Sequence, residues 1–96
     1  MSSSAPLRLL CYDISSDRLR RRVSRMLEEE ATRVQFSVFE ARLTTSALNT
    51  LVRRTTEQLE STDSLRVYTI GKTGERACKV YGAGAPIESG ADFWLI

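Results

Sequence analysis

Asp13 and the arginines that follow it are the residues of this sequence best suited to chemistry. Asp13 ends an apolar segment, where a charge is poorly solvated unless it is paired. The side chain could cap the next turn or bind a divalent metal ion, and the residues leave both readings open. One carboxylate holds Mg²⁺ weakly, but Asp13 of a second copy, brought close by two-fold symmetry, would complete a site able to activate water for phosphodiester cleavage.

Arginine is concentrated directly after Asp13. Of the 14 basic residues, 12 are arginines, and the segment 18–25 contains Arg18, Arg20, Arg21, Arg22 and Arg25. A planar guanidinium binds phosphate through two parallel hydrogen bonds, which an ammonium group cannot do. Glu28, Glu29 and Glu30 follow, so the charges run against the helix dipole, an arrangement that helix stability does not favour.

A helical projection separates these arginines from the apolar residues of the same segment. Arg18, Arg21, Arg22 and Arg25 fall in one stripe, opposite Leu19, Val23, Met26 and Leu27, and Arg20 lies at its edge. The stripe could be a solvated face, with Arg25 balanced by Glu28 and Glu29. Alternatively, Arg18, Arg20, Arg21 and Arg22 contact the phosphates of nucleic acid without reading its sequence.

The aromatic residues give little support for base stacking. Phe36, Phe39, Tyr12, Tyr68 and Trp94 are interpreted as core or dimer-interface residues, because no stacking pattern typical of single-strand binders accompanies the arginines. The segment Gly71 to Gly74 lacks the spacing of a phosphate-binding loop.

The elements that must position these residues alternate between strands and helices. Residues 7–14 are apolar at both odd and even positions, which predicts a central strand covered on both faces. Residues 17–30 are predicted to form an amphipathic helix, and residues 32–43 two short strands joined by a turn or bend. Thr44 or Thr45 caps a second helix that ends near Glu60, a two-faced strand covers 65–70, and a turn at 71–74 leads to a short strand at 77–81. The order predicts an α+β, ferredoxin-like β-α-β-β-α-β fold with extra C-terminal strands and both helices on one sheet face.

Length and composition predict one domain over residues 1–96. Residues 1–6 are expected to be flexible, and 82–96 to form a loop and a C-terminal strand or docked tail ending in Phe93 to Ile96. The uncovered sheet face is expected to pack in a homodimer. Two separated cysteines and no histidine argue against a disulfide framework or a zinc site, and the lack of a long apolar stretch predicts a cytoplasmic protein without a membrane partner.

Two sequence blocks resemble one family. Tyr12-Asp13-Ile14-Ser15, followed by Arg20 and Arg22 and then by the block from Arg33 to Glu40, is similar to the signature of the Cas2 proteins of CRISPR adaptation, and the resemblance extends over most of residues 7–96. It implies a homodimer that joins the Cas1 integrase in capturing duplex spacer DNA. It also implies a magnesium-dependent endonuclease acting on single-stranded RNA or on DNA, with Asp13 as metal ligand surrounded by Tyr12, Arg20, Arg33 and Phe39.

The chain departs from the family pattern at two places. Ala31-Thr32 stands where many relatives have a glycine, and Phe36 where some have a basic residue. The hypotheses are therefore an adaptation scaffold, a metal-dependent nuclease, or both. The alternative is a ferredoxin-like regulatory or ligand-binding module without a nucleic-acid function, because the fold itself hosts many activities.

Overall fold

Four strands and three helices make up the part of the chain that a computed structural model describes, residues 5–84 and 87. In order they are β1 (Leu7–Asp13), α1 (Asp17–Glu28), β2 (Thr32–Gln35), β3 (Val38–Arg42), α2 (Thr45–Thr56), β4 (Ser64–Ile70) and α3 (Lys72–Ala77). The strands form one antiparallel sheet in the order β2-β3-β1-β4. This arrangement confirms the predicted ferredoxin-like α+β fold.

Strand β1 lies inside the sheet and pairs on both sides. Leu10 is opposite Phe39 of β3 and opposite Val67 of β4, so these three side chains share one face. Leu9 and Cys11, at the alternate positions, point to the other face. The predicted central strand is therefore confirmed.

Helices α1 and α2 cover the face that carries Leu10. The core contains Val23 and Leu27 of α1 and Leu51 of α2, packed with Leu10 and Phe39. Both helices begin at a residue whose hydroxyl accepts a hydrogen bond from a backbone amide of the first turn, Ser16 for α1 and Thr44 for α2. As predicted, both helices lie on one side of the sheet.

The opposite side of the sheet, called here the open face, carries Leu9, Cys11, Val38, Arg66 and Tyr68. Arg66 donates a hydrogen bond of 3.2 Å to the Tyr68 hydroxyl, and this contact raises the pKa of Arg66. Within the described residues, α3 reaches only one end of this face.

An ion pair between Glu75 and Arg42 attaches α3 to the sheet, and each of the two side chains is only 12% exposed. Arg42 also donates to the Ala5 carbonyl at 3.0 Å, and the Pro6 carbonyl accepts from the Leu43 amide at 3.2 Å. The described part of the segment predicted to be flexible, Ala5 and Pro6, is thus hydrogen-bonded to the sheet.

The prediction for residues 71–81 is wrong in two respects. The segment read as a turn forms α3, and Cys78 to Tyr81 form no strand. The first turn of α3 is formed by a 2.7 Å hydrogen bond from the Glu75 amide to the Gly71 carbonyl. The ion pair between Glu75 and Arg42 stabilises the helix, although Gly74 has a low helix propensity.

Other boundaries differ less. The break in segment 32–43 falls at a two-residue turn, 36–37, and α2 ends at Thr56 rather than near Glu60. In the described sheet β4 is an edge strand that exposes Arg66 and Tyr68, so it is not the two-faced strand predicted.

The predicted strand or tail at Phe93 to Ile96 lies outside the described residues. No helix among the described residues is long and apolar enough to cross a membrane.

Two phenylalanines of the β2–β3 hairpin provide a matched stability test. Phe39 is fully buried and Phe36 is 89% exposed. We expect Phe39→Ala to lower the free energy of unfolding by about 3 to 5 kcal/mol, because it removes core packing and leaves a cavity. Phe36→Ala should change it by no more than about 0.5 kcal/mol. Urea unfolding followed by circular dichroism measures both, and equal losses would contradict this core.

Candidate nucleic-acid interface

The loop between β1 and α1 is fixed by hydrogen bonds that do not involve Asp13. The Ser15 amide donates to Oδ1 of Asp63 at 3.2 Å, while Oδ2 of Asp63 accepts from the Glu60 amide at 3.0 Å. Ser16 caps α1 through the Leu19 amide. The capping and turn roles considered for Asp13 are therefore filled by Ser16 and Asp63.

Asp13 itself is the last residue of β1 and is exposed. It is opposite Ser64 of β4 and shares the parity of Cys11, so its side chain belongs to the open face, at the end of the strand. In the described structure, no hydrogen bond or ion pair engages its carboxylate. It is a free carboxylate available to a ligand.

A surface pocket of about 490 Å³ surrounds this end of β1. Its walls are formed by Tyr12, Asp13 and Ile14, by Arg20, Arg21, Ser24, Arg25 and Glu28 of α1, and by Arg33, Phe36 and Ser37. Five of the predicted site residues are thus gathered in one place: Tyr12, Asp13, Arg20, Arg21 and Arg33.

Phe39 is not exposed in this pocket but lies beneath it. Its ring is fully buried, with its centroid 6.1 Å from that of Tyr12. Tyr12 is also buried, and its hydroxyl lies 3.5 Å from the Phe36 carbonyl. The structure assigns both rings to the support of the pocket floor, in agreement with their interpretation as core residues.

Arg20 and Arg33 are held by neighbouring groups. Arg20 donates to the Ile14 carbonyl at 2.7 Å and forms an ion pair with Asp17. Arg33 donates to the Ser24 hydroxyl and lies 3.1 Å from Oε2 of Glu28. Its guanidinium carbon also lies 5.6 Å from the centroid of the Phe39 ring, within cation–π range.

The remaining arginines of α1 are exposed. Arg22 approaches only the neutral amide of Gln58, at 3.5 Å. Arg18, Arg21 and Arg25 have neither a hydrogen bond nor an ion pair with any residue that the structure describes. Arg21 and Arg25 line the pocket, whereas Arg18 does not.

The acidic residues that were expected to balance Arg25 are paired elsewhere. Glu28 binds Arg33, while Glu29 and Glu30 lie 3.9 and 3.7 Å from Arg54 of α2. The expected pairing of Arg25 within the helix is therefore wrong, because tertiary partners compete for the same carboxylates. The positive stripe of Arg18, Arg21, Arg22 and Arg25, called here the arginine stripe, is left without a counter-ion from residues 5–84.

Among the described residues that line the pocket, the donor set for a metal ion consists of one free carboxylate, that of Asp13. Among the described residues, no three acidic, cysteine or histidine side chains are grouped so that they could hold a metal ion. The other pocket acid, Glu28, is tied to Arg33. One or two carboxylates, completed by water and substrate phosphate, is the usual donor set of Mg²⁺ in proteins, so Asp13 is compatible with such a site.

Sequence reasoning missed two residues of this surface. Arg25 was assigned to an internal pair, and no local pattern indicates that Arg33 and Arg54 take its partners. Phe36 was interpreted as a core or interface residue. It lies in the hairpin turn and is not part of the core, and the interface interpretation stays a prediction. The sequence did contain a signal of its exposure, because Phe36 stands where some members of the family have a basic residue.

Comparison with known proteins gives consistent results. The family model for CRISPR associated protein Cas2 matches residues 7–77. A Synechocystis protein named CRISPR-associated endoribonuclease Cas2 2 is 38% identical over 77 residues, covering 78% of this chain and 83% of the relative.

Two solved structures share the fold at appreciable sequence identity. Streptococcus pyogenes Cas2, crystallised at pH 6.5, superposes with a TM-score of 0.69 at 29% identity, over 79% of this chain and 99% of that one. A chain of a partial Cas6-RT-Cas1–Cas2 complex gives a TM-score of 0.63 at 28% identity, over 79% and 90%.

Proposed function

Because this chain belongs to the family of CRISPR associated protein Cas2, we propose that it works in the cytoplasm as a homodimeric CRISPR adaptation protein that binds duplex DNA beside a Cas1 partner. The observation that carries this proposal is the arginine stripe, whose charges are not neutralised by the described residues. A row of exposed guanidinium groups on one helix matches the phosphates of a duplex. A small-molecule module would not need such a row.

The open face supports the dimer. Leu9, Cys11 and Val38 are half-buried and Tyr68 is 47% exposed, although no layer of the described residues covers them. A second copy would bury this apolar surface and complete the sheet on both faces. Asp13 lies at the edge of the same face, so a two-fold axis close to that edge would bring the two carboxylates together.

Nuclease activity is the second part of the proposal. Relatives named endoribonucleases support phosphodiester cleavage, and RNA is the substrate class that this name indicates. We propose that Asp13 of each subunit holds Mg²⁺, which when bound supplies Lewis-acid activation of the scissile phosphodiester. Arg21 and Arg25 orient the substrate backbone, while Arg20 and Arg33 fix the loop and hairpin that form the pocket.

Neutralising the arginine stripe tests DNA binding. We expect Arg21→Ala plus Arg25→Ala to weaken duplex binding and to reduce the slope of log affinity against log salt by about 0.9 for each phosphate that is no longer neutralised. Fluorescence anisotropy at several salt concentrations measures this slope. Lys72→Ala plus Lys79→Ala removes the same formal charge from exposed positions in and after α3. Unchanged binding by the arginine variant, or an equal effect of the lysine variant, would contradict an interface on α1.

A charge on the open face tests the dimer. Cys11→Glu replaces a small half-buried side chain by a longer carboxylate, which can pair with Arg66 within one subunit. The same side chain has to be desolvated and accommodated where the two open faces pack together, and this disfavours the dimer. We expect light scattering to change from a dimer to a monomer while circular dichroism remains unchanged. A folded dimer of this variant would mean that subunits associate elsewhere.

Replacing Asp13 tests the nuclease. Asp13→Asn should reduce magnesium-dependent cleavage of single-stranded RNA by more than about 100-fold, since replacing a residue that merely supports a metal ligand already costs about 10- to 100-fold. The control Glu57→Gln makes the equivalent change at an exposed acid outside the pocket, and it should retain cleavage. Light scattering verifies that the oligomeric state is preserved. Cleavage that persists in Asp13→Asn would remove Asp13 from the mechanism.

A further inference from the structure

Phe36 is held by its backbone while its ring projects into solvent. The Tyr12 amide donates to the Ser37 carbonyl at 3.1 Å, and the Tyr12 hydroxyl lies 3.5 Å from the Phe36 carbonyl. The side chain is nevertheless 89% exposed. A large apolar ring gains nothing for folding in this position, and its fixed backbone reduces the entropy cost when a ligand packs against it.

The surroundings of this ring are cationic and polar. Phe36 borders the pocket that contains Arg21 and Arg25, neither of which has a hydrogen-bond or ion-pair partner among the described residues. Together with Arg33, it also borders a second surface pocket of about 460 Å³ that includes Val34 and Gln35. Phe36 and Arg33 are the residues that line both pockets, so a polymer that occupies both would lie against these two side chains.

We propose that Phe36 stacks on an unpaired base of a single-stranded polynucleotide whose phosphates are bound by Arg21 and Arg25. The proposal rests on the proposed function of this surface and specifies the strand state that the pocket accepts. A base inside a duplex has both faces covered by its neighbours and offers only its edges in the grooves. A base of a single strand offers a free face, and aromatic side chains beside a basic groove are the usual means of holding it.

The position of Phe36 favours a base over a protein surface as its partner. The apolar residues suited to a second copy, Leu9, Cys11 and Val38, are grouped on the open face. Phe36 stands apart from them, at the hairpin turn beside the arginine-lined pocket. One aromatic ring among guanidinium groups matches the alternation of base and phosphate along a nucleic-acid strand.

Binding of defined oligonucleotides to the full-length protein tests the proposal. We expect Phe36→Ala to weaken binding of single-stranded RNA and of single-stranded DNA of the same sequence by about 5- to 100-fold, and to leave duplex binding within about twofold. Phe36→Trp should retain single-strand affinity, whereas Phe36→Leu, which keeps an apolar side chain without a π face, should behave as Phe36→Ala. Tyr81→Ala, at another aromatic residue that is 84% exposed, should have no effect. If Phe36→Ala weakens binding of only the RNA or only the DNA strand, the result supports stacking and identifies that strand as the ligand.

A strand without bases supplies the decisive comparison. With an oligonucleotide of the same length made of abasic residues, wild type and Phe36→Ala should bind equally, because the ring packs on the base and not on the backbone. Three results would each overturn the proposal. The first is that Phe36→Ala binds the abasic strand more weakly than the wild type by the same factor as it binds the strand with bases. The second is that Phe36→Leu binds single strands with wild-type affinity, and the third is that Phe36→Ala binds single strands as tightly as the wild type. If duplex binding still depends on Arg21 and Arg25 in that case, the proposed function stands; if the wild type binds no nucleic acid, the proposed function fails as well.

Discussion

Strand β1 is hydrogen-bonded on both sides, and the placement of every residue in the candidate site follows from that pairing. The register with β3 and β4 fixes which side chains face the helices, Leu10 and Tyr12, and which face the other way, Cys11 and Asp13. A shift of one residue would exchange the two sets and place a carboxylate under α1. The register of β1 therefore determines where the Asp13 carboxylate emerges.

Competition for carboxylates decides which arginines remain available to a ligand. Asp17 is taken by Arg20 and Glu28 by Arg33, and both of these arginines also bind groups that define the pocket wall. Glu29 and Glu30 are shared with Arg54, across the packing of α1 against α2. These surface pairs contribute little to stability individually, but they divide the arginines into those that organise the site and those that can bind phosphate.

The sequence predicted the parts of the fold that depend on local periodicity. The apolar pattern of β1, the cap of the second helix at Thr44 or Thr45 and the amphipathic α1 are short-range signals, and each is found in the structure, the cap at Thr44. The missed helix α3 depends on an ion pair between Glu75 and Arg42, which are far apart in sequence, and no local rule contains that information. The exposure of Phe36 was missed for a similar reason, since the alternation of Val34, Phe36 and Val38 is interrupted by a register shift between Arg33 and Gln35 and by the turn.

For the site, sequence patterns together with family resemblance identified Asp13, Tyr12, Arg20 and Arg33, which the structure brings to one pocket. The roles of these residues could not be separated from sequence, because Arg20 and Arg33 differ from Arg21 and Arg25 in the partners that bind them in the folded chain. The hairpin turn has a consequence for divergence within the family. Since the Phe36 ring contributes almost nothing to folding, selection can exchange it for a basic or polar residue without crossing the stability threshold that restricts core positions such as Phe39. Ligand preference can thus drift at this turn while the scaffold stays constant.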